Sequence, residues 1–156
     1  MNLKRNTASE DETAALAARI LETAGKFSGI RPLVFALHGG LGAGKTRFAQ
    51  GLAVAMGIAD PVPSPTFTLV NEYTAPDGSV FVHADLYRLG GESEVDDMGF
   101  RETMERADVV AVEWPERAGS IIPETAFDVF ISDGASDDER TVSVVASGEI
   151  PFPDIE

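Results

Sequence analysis

The chain has 156 residues and no cysteine, so disulfides and cysteine-ligated zinc are excluded and one soluble domain over residues 1–156 is expected. No apolar run approaches the roughly 20 residues that span a bilayer, and the polar opening differs from a signal peptide, which predicts a cytoplasmic protein without membrane contact. The net charge of −14 and the lack of lysine after Lys45 oppose direct binding to nucleic-acid phosphates, although this acidity can also serve solubility alone.

The first predicted element is an amphipathic helix that begins after Ser9 and ends at Gly25. Ser9 and Glu12 have the spacing of a capping box, in which a serine hydroxyl and a glutamate carboxylate satisfy backbone N–H groups at the helix start. The apolar residues of this segment recur at helical spacing, at Leu16, Ile20, Leu21 and Ala24.

A glycine-rich loop carries the clearest chemical signal in the chain. Residues 39–46 read GGLGAGKT and satisfy the pattern G-x-x-x-x-G-K-[ST]. Small residues allow a tight loop whose N–H groups point inward and cradle phosphate oxygens. Lys45 can then reach the terminal phosphates, and the Thr46 hydroxyl can ligate Mg²⁺. The pattern predicts a binding loop for a nucleoside triphosphate.

The segments on both sides of the loop support this interpretation. Residues 32–38 form a short apolar run typical of a buried parallel strand. Beyond the loop, Gly57 is placed to end a helix whose apolar face comprises Phe48, Leu52, Ala55 and Met56. Strand, glycine loop and helix therefore occur in the order that phosphate binding requires, because the helix start adds about half an elementary positive charge.

Prolines and a turn motif define the next segments. Three prolines within residues 61–65 exclude a helix and predict a stiff loop near the nucleotide. Two strand-like runs, 67–73 and 80–85, flank the sequence APDG at 75–78. This arrangement predicts an antiparallel hairpin.

The second half of the chain predicts an interrupted helix and then strands. Ser93 and Asp96 indicate a helix start, and Gly99 predicts that this helix is short or broken. Residues 108–113 form a second buried-strand pattern that ends in a carboxylate.

Two late strands, at 126–132 and 141–146, complete the predicted elements. Together the elements predict an α/β, P-loop NTPase-like three-layer domain with a mixed parallel and antiparallel sheet. A loose tail is expected at 150–156.

Two carboxylates that follow predicted strands are candidates for holding Mg²⁺. Glu113 follows four consecutive apolar residues, the better pattern for a central strand, whereas His83 interrupts the strand before Asp85. Neither His38 nor His83 has a partner at metal-ligand spacing, so both are interpreted as structural residues. Trp114 follows Glu113 directly and belongs either to the core or to the mouth of the site.

Four sequence blocks give the chain a resemblance to a known family. They read LGAGKT at 41–46, SPTFTLVNEY at 64–73, DLYRL at 85–89 and VEWPE at 112–116. In this order they resemble the TsaE family (formerly YjeE), the ATPase component of bacterial tRNA threonylcarbamoyladenosine (t6A) biosynthesis. The resemblance extends over about residues 9–146, and its second and fourth blocks are much more specific than the glycine loop.

The resemblance implies a site for ATP and Mg²⁺. The nucleotide would contact Thr13, Gly42, Ala43, Gly44, Lys45, Thr46, Arg47, Trp114 and Glu116. Thr46 and Glu113 would hold Mg²⁺, whereas Lys45, Asp85 and Thr66 would serve hydrolysis. The loop 64–68 would sense the γ-phosphate. Gly40 and Arg47 depart from the residues usual in the family, but neither change removes a phosphate contact that depends on a side chain.

The resemblance also implies partners. The enzyme would join TsaB and TsaD, and ATP hydrolysis would reset the TsaB–TsaD complex between turnovers of t6A formation at adenosine 37 of tRNA. This acidic chain would contact tRNA only indirectly, through the complex.

Three other functions compete with this interpretation. A GTPase is disfavoured because none of the three asparagines precedes a lysine, as guanine-binding motifs require. A small-molecule kinase is disfavoured because the nine arginines are scattered and form no lid segment. A non-hydrolytic nucleotide-sensing adaptor would use the same loop and stays open.

Overall fold

The computed structural model describes residues 2–27 and 29–146, so the predicted tail at 150–156 lies outside the described part. Its strands are β1 (Asn2–Thr7), β2 (Leu33–His38), β3 (Val70–Thr74), β4 (Val80–Asp85), β5 (Val109–Glu113), β6 (Phe127–Asp133) and β7 (Arg140–Ala146). Its helices are α1 (Glu10–Phe27), α2 (Lys45–Ala55), α3 (Glu92–Asp97) and α4 (Phe100–Glu105). Two short 3-10 turns, Pro115–Arg117 and Gly119–Ile121, follow β5. Among the described helices, none is both long and apolar enough to cross a membrane.

The strands of the described residues form one mixed sheet in the order β1-β7-β6-β2-β5-β4-β3. The central strand β2 pairs in parallel with both β5 and β6, and β4 pairs in parallel with β5. The strands β3, β7 and β1 extend the two sides of the sheet with antiparallel pairing. The predicted mixed sheet and the predicted hairpin of β3 and β4 are thus confirmed.

Helices cover both faces of the sheet, which confirms the predicted three-layer architecture. Leu33, Phe35 and Leu37 of β2 belong to a core that α1 and α2 cover. Val34 of the same strand belongs to a second core beneath α3 and α4. Because successive side chains of a strand point to opposite faces, a strand buried on both faces consists of a continuous apolar run.

The polar segment at the start of the chain forms a strand that the sequence does not predict. β1 pairs antiparallel with β7, from Asn2 opposite Val145 to Thr7 opposite Arg140. Of its side chains, Leu3 and Thr7 are buried, so the apolar alternation is too weak to reveal a strand. The backbone of β7 supplies the hydrogen bonds that hold this segment.

The predicted cap of α1 is confirmed at its serine. The Glu12 N–H donates to the Ser9 hydroxyl oxygen at 3.1 Å, and the Glu12 carboxylate accepts from the Ala8 N–H at 2.7 Å. The helix continues to Phe27, two residues beyond its predicted end at Gly25, since glycine weakens a helix without having to end it.

Two other predicted boundaries are wrong. β3 begins at Val70 instead of residue 67, because the Leu69 N–H donates to the Pro65 carbonyl at 2.8 Å and closes a turn there. α3 begins at Glu92, before the predicted cap Ser93. The predicted break is confirmed, since Gly99 has a φ of 80° and lies between α3 and α4.

The helices α1 and α2 approach each other closely at Gly51. A Cβ atom added at this buried glycine would lie 2.1 Å from the backbone oxygen of Ala14. The neighbouring group is backbone and therefore cannot rotate away. The absence of a side chain at position 51 thus permits this close approach of α1 to α2, the helix whose first turn carries Lys45 and Thr46.

Replacing Gly51 with alanine is expected to lower the free energy of unfolding by about 1–3 kcal/mol, because the added methyl group forces the two helices apart. Urea unfolding followed by circular dichroism measures the change. Gly25→Ala is the matched control, since Gly25 lies exposed in α1 with no atom within 4 Å of an added Cβ. The free energy of unfolding of the Gly25→Ala variant is expected to rise by about 0.5–1 kcal/mol, because alanine has a higher helix propensity than glycine. Equal stability of the Gly51→Ala variant and the unmodified chain would contradict the packing described.

Candidate nucleotide-binding site

The candidate site lies at the edge of the sheet where the parallel strands end. β2 ends at His38 and leads directly into the glycine loop, residues 39–44. β4 and β5 end in the carboxylates of Asp85 and Glu113, which are partners in the parallel register. The sheet order therefore brings three segments that are distant in sequence to the edge where ligands of open α/β sheets bind.

The glycine loop has the backbone conformation of a phosphate nest. Gly42 and Gly44 have φ angles of 76° and 104°, a region that glycine adopts at little cost. Gly44 directly precedes α2 and provides no side-chain cap, so N–H groups of the first helical turn remain for a bound anion. A cleft of about 330 Å³ opens over the loop; its lining residues are Glu10, Gly42, Ala43, Gly44, Lys45, Thr46, Arg47, Gln50 and Glu113.

Lys45 places a positive charge in this cleft. Its side chain is 5% exposed, and its Nζ atom donates to the Gly39 carbonyl at 2.6 Å. Burial lowers the pKa of the Lys45 ammonium group, whereas the carboxylates of Glu113, Asp85 and Glu116 oppose this shift. The amine thus lies at the base of the phosphate nest with acidic groups around it.

Glu113 and Thr46 together present oxygen atoms that suit Mg²⁺. Glu113 is 4% exposed, and its two carboxylate oxygens lie 3.1 Å and 3.3 Å from the Thr46 hydroxyl, which donates to them. Carboxylate and hydroxyl oxygens are hard ligands of the kind Mg²⁺ prefers. The described residues hold no cluster of three or more histidine, cysteine, aspartate or glutamate side chains that could bind a metal by itself. A cation bound here would therefore be coordinated by phosphate oxygens in addition to these two side chains, as Mg²⁺ commonly is.

Asp85 links the end of β4 to the proline-rich loop. Its Oδ1 atom accepts a hydrogen bond from the Tyr87 N–H at 3.0 Å, and its Oδ2 atom lies 3.5 Å from the Thr66 hydroxyl. The Thr66 hydroxyl also shares a 2.6 Å hydrogen bond with the Ser64 hydroxyl. The next residue, Phe67, is 83% exposed. The loop therefore contacts a buried acid of the site and presents a large apolar side chain to solvent.

Within residues 2–27 and 29–146, two residues other than glycine have positive φ angles, and both border the site. Leu69 (φ 65°) ends the proline-rich loop, and its carbonyl accepts from the Asp85 N–H at 2.8 Å. Trp114 (φ 58°) follows β5, and its ring centre lies 4.0 Å from the Lys45 Nζ atom and 4.9 Å from the Tyr87 ring centre. Such backbone strain costs on the order of 1–3 kcal/mol and is concentrated at functional sites. The structure thus places Trp114 against Lys45, the first residue of α2.

Arg47 lies at one wall of the cleft. Its guanidinium group donates to the Asp11 carboxylate and, at 3.0 Å, to the Gln50 side-chain oxygen. The arginine therefore connects the start of α1 with α2 beside the phosphate nest.

Thr13 and Glu116, which the resemblance also implies, lie outside the lining of this cleft, as do Thr66, Asp85 and Trp114. Thr13 is 1% exposed, and its hydroxyl is hydrogen-bonded to the Thr7 hydroxyl at 2.7 Å and to the Ser9 carbonyl at 3.2 Å. Glu116 is exposed and acts on the site through its charge, which opposes the lowering of the Lys45 pKa.

Arg140 is a neighbour of the glycine loop that the sequence does not reveal. It lies at the start of β7, and its Nε atom donates to the Ala43 carbonyl at 3.0 Å, while one terminal nitrogen is 3.5 Å from the Gly42 carbonyl. Glu10 and Gln50, which line the cleft, were likewise not predicted. No local pattern marks these residues, because only the order of the strands and helices brings them to the loop.

The two histidines have different surroundings. The His38 Nε2 atom pairs with the Asp128 carboxylate at 2.9 Å, and its ring stacks on Phe130 with ring centres 4.5 Å apart. His83 is completely buried, and its Nε2 atom lies 2.7 Å from Glu113 Oε2. His38 thus has the structural surroundings predicted for it, whereas His83 contacts a residue of the candidate site.

P-loop NTPase-like domains have a glycine loop between a central strand and a helix, with carboxylates at the ends of neighbouring strands facing the loop. This chain has that fold. The family described as "Threonylcarbamoyl adenosine biosynthesis protein TsaE" matches residues 7–142. The chain belongs to this TsaE family, as its sequence blocks predict.

Individual relatives agree with this assignment. The Bacillus subtilis protein named tRNA threonylcarbamoyladenosine biosynthesis protein TsaE is 39% identical over 147 residues, which cover 94% of this chain and 87% of the relative. The Haemophilus influenzae protein of the same name is 37% identical over 110 residues, which cover 70% of this chain and 68% of the relative. The crystal structure of Bacillus subtilis YdiB is similar with a TM-score of 0.71 at 34% identity, covering 95% of this chain and 87% of that one.

Proposed function

We propose that this protein is an Mg²⁺-dependent ATPase that serves t6A modification of tRNA. The observation that carries the proposal is the contact between the Thr46 hydroxyl and the Glu113 carboxylate, at 3.1 Å and 3.3 Å, beside the nest and Lys45. These groups are the ones a P-loop hydrolase uses for the metal and the phosphates. The names of the relatives support t6A biosynthesis as the process.

The chain's own groups account for nucleotide binding and charge stabilisation. The N–H groups of the loop and of the first turn of α2 would hold the phosphates, and the Lys45 ammonium would exchange its 2.6 Å bond to the Gly39 carbonyl for phosphate oxygens. Thr46 and Glu113 would hold Mg²⁺, which, when bound, neutralises charge on the β- and γ-phosphates. Trp114, stacked on Lys45, would limit the access of water to this end of the nucleotide.

Asp85 and Thr66 would couple hydrolysis to the proline-rich loop. Asp85 is buried at the end of β4, and the Thr66 hydroxyl lies 3.5 Å from it. In this proposal Asp85 orients the attacking water, and Thr66 senses the γ-phosphate. Loss of that phosphate would alter the contacts of the loop that carries the exposed Phe67, which gives partners two different surfaces.

The partners in this proposal are TsaB and TsaD. ATP hydrolysis would reset the TsaB–TsaD complex between turnovers in the cytoplasm, and tRNA would be contacted through that complex. The net charge of −14 supports this division, because a tRNA-binding surface is ordinarily basic.

Phosphate release measured with and without partners tests the proposal. The full chain is mixed with ATP and Mg²⁺, alone and with purified TsaB and TsaD. We expect slow phosphate release by the chain alone and phosphate release at least about tenfold faster when both partners are present. The reason is that a partner can complete the charge stabilisation of a phosphoryl-transfer site. Nucleotide-dependent binding to the partners without phosphate release would instead identify a nucleotide-sensing adaptor, and would contradict the ATPase.

A further inference from the structure

His83 is a buried polar residue that neither the phosphate nest nor the proposed hydrolysis uses. Its side chain is 0% exposed, and its Nε2 atom lies 2.7 Å from Glu113 Oε2. Burying an imidazole removes it from water, and this costs free energy unless the ring gains hydrogen bonds in return. An apolar side chain would fill the same space without that cost, so the contact with Glu113 requires an explanation.

The strand geometry directs His83 toward Glu113. Residues 81, 83 and 85 lie on the same face of β4, because side chains alternate along a strand. In the parallel register His83 is opposite Ala111, and Asp85 is opposite Glu113. The small side chain of Ala111 leaves room for the imidazole to extend along the sheet face toward the carboxylate two residues further on.

The hydrogen bond defines which nitrogen of the ring carries the proton. A carboxylate oxygen only accepts hydrogen bonds, so the Nε2–H of His83 donates to Glu113. The Nδ1 atom is buried and has no hydrogen-bond partner among the described residues, so the ring makes its hydrogen bond to Glu113 through Nε2. The ring therefore orients the carboxylate and leaves its negative charge for a cation.

The carboxylate of Glu113 is consequently held from two sides. His83 donates to Oε2 at 2.7 Å, and the Thr46 hydroxyl lies 3.1 Å from the same oxygen and 3.3 Å from Oε1. A free glutamate side chain has three rotatable bonds, and the hydrogen bond from β4 restricts them. The orientation that results keeps the carboxylate facing the glycine loop.

We propose that His83 is a positioning residue for the Mg²⁺ site, which fixes the orientation of the Glu113 carboxylate toward Thr46. This inference rests on the proposed Mg²⁺-dependent function. It predicts that His83 affects the Mg²⁺ dependence of nucleotide binding, and that it has little effect on nucleotide binding without the metal. A residue that only fills space would show no such difference.

Three substitutions separate positioning from packing. His83→Gln keeps an amide donor at about the reach of the imidazole Nε2 atom, whereas His83→Asn keeps the same chemistry but is one methylene shorter. His83→Leu keeps much of the volume and has no donor. Binding of a non-hydrolysable ATP analogue to the full chain is measured by calorimetry over a range of Mg²⁺ concentrations and in EDTA.

We expect the Leu and Asn variants to need about 10- to 100-fold more Mg²⁺ for half-maximal binding, with affinity in EDTA changed less than about twofold. The Gln variant is expected to stay within about threefold of the unmodified chain. In a Glu113→Gln background, the His83→Asn change should have no further effect on Mg²⁺ dependence.

Equal Mg²⁺ dependence of the Gln and Asn variants would overturn the positioning role, and this comparison suffices even if the Leu variant does not fold. Binding by the unmodified chain that is indifferent to Mg²⁺ would overturn the proposed metal-dependent function itself, and the positioning role with it.

Discussion

Replacing Lys45 with alanine is expected to reduce ATP hydrolysis at least about 100-fold, because one aimed charge at a reacting group typically contributes that much. Lys45 is 5% exposed, and its ammonium group lies at the base of the nest, 2.6 Å from the Gly39 carbonyl. The substitution leaves the loop N–H groups in place, so the loss should be larger for hydrolysis than for ADP binding. Phosphate release in the presence of TsaB and TsaD, and calorimetry with ADP, measure the two effects.

Lys26→Ala is the matched control for this prediction. Lys26 is exposed in the last turn of α1, so its loss removes the same charge from the chain without changing the cleft. Circular dichroism establishes that both variants are folded. Hydrolysis by a folded Lys45→Ala variant at the rate of the unmodified chain would refute the assigned role of the glycine loop.

Glu113→Ala is expected to weaken Mg²⁺-dependent nucleotide binding and hydrolysis by about 100-fold or more, with a much smaller effect on nucleotide binding in EDTA. The reason is the loss of the carboxylate that faces Thr46. The substitution also leaves the buried Nε2–H of His83 without its acceptor, at a cost of about 1–3 kcal/mol of folding stability. Nucleotide titrations with and without Mg²⁺ separate the metal effect from the effect on the fold.

Glu113→Gln refines this test, because its amide oxygen still accepts from His83 while the negative charge is lost. This variant should keep more of the stability and still lose the Mg²⁺ dependence. Glu105→Gln serves as the charge-matched control, since Glu105 is exposed at the end of α4. If Glu113→Ala weakens binding equally with and without Mg²⁺, then Glu113 has a structural role and does not hold the metal.

Much of the candidate site was predictable because its strongest signals are local. The pattern from Gly39 to Thr46 contains the glycines of the nest, the Lys45 ammonium group and the Thr46 hydroxyl within eight consecutive residues. The apolar run before Glu113 identifies the end of a buried strand. Both predictions depend on the backbone conformation of a short segment and on hydrophobic periodicity, which neighbouring residues largely determine.

Two of the errors occurred where contacts with distant segments contribute to the local structure. β1 has little apolar alternation and forms because β7 offers unpaired N–H and carbonyl groups. β3 begins later than predicted because residues 65–69 form a turn whose last carbonyl, that of Leu69, accepts from the Asp85 N–H. Neither effect has a signal in the residues of the segment itself.

The sequence by itself determined the class of fold, the glycine loop of the candidate site and the identity of the acidic residues at the strand ends, because each depends on spacing along the chain. The tertiary structure alone decided which distant side chains meet. The order β7-β6-β2-β5-β4 places Arg140 against the carbonyls of the loop, Asp85 beside Glu113, and the His83 imidazole on the Glu113 carboxylate. The physical reason is that strand order and register depend on the packing of two cores around the whole sheet, which no single segment specifies.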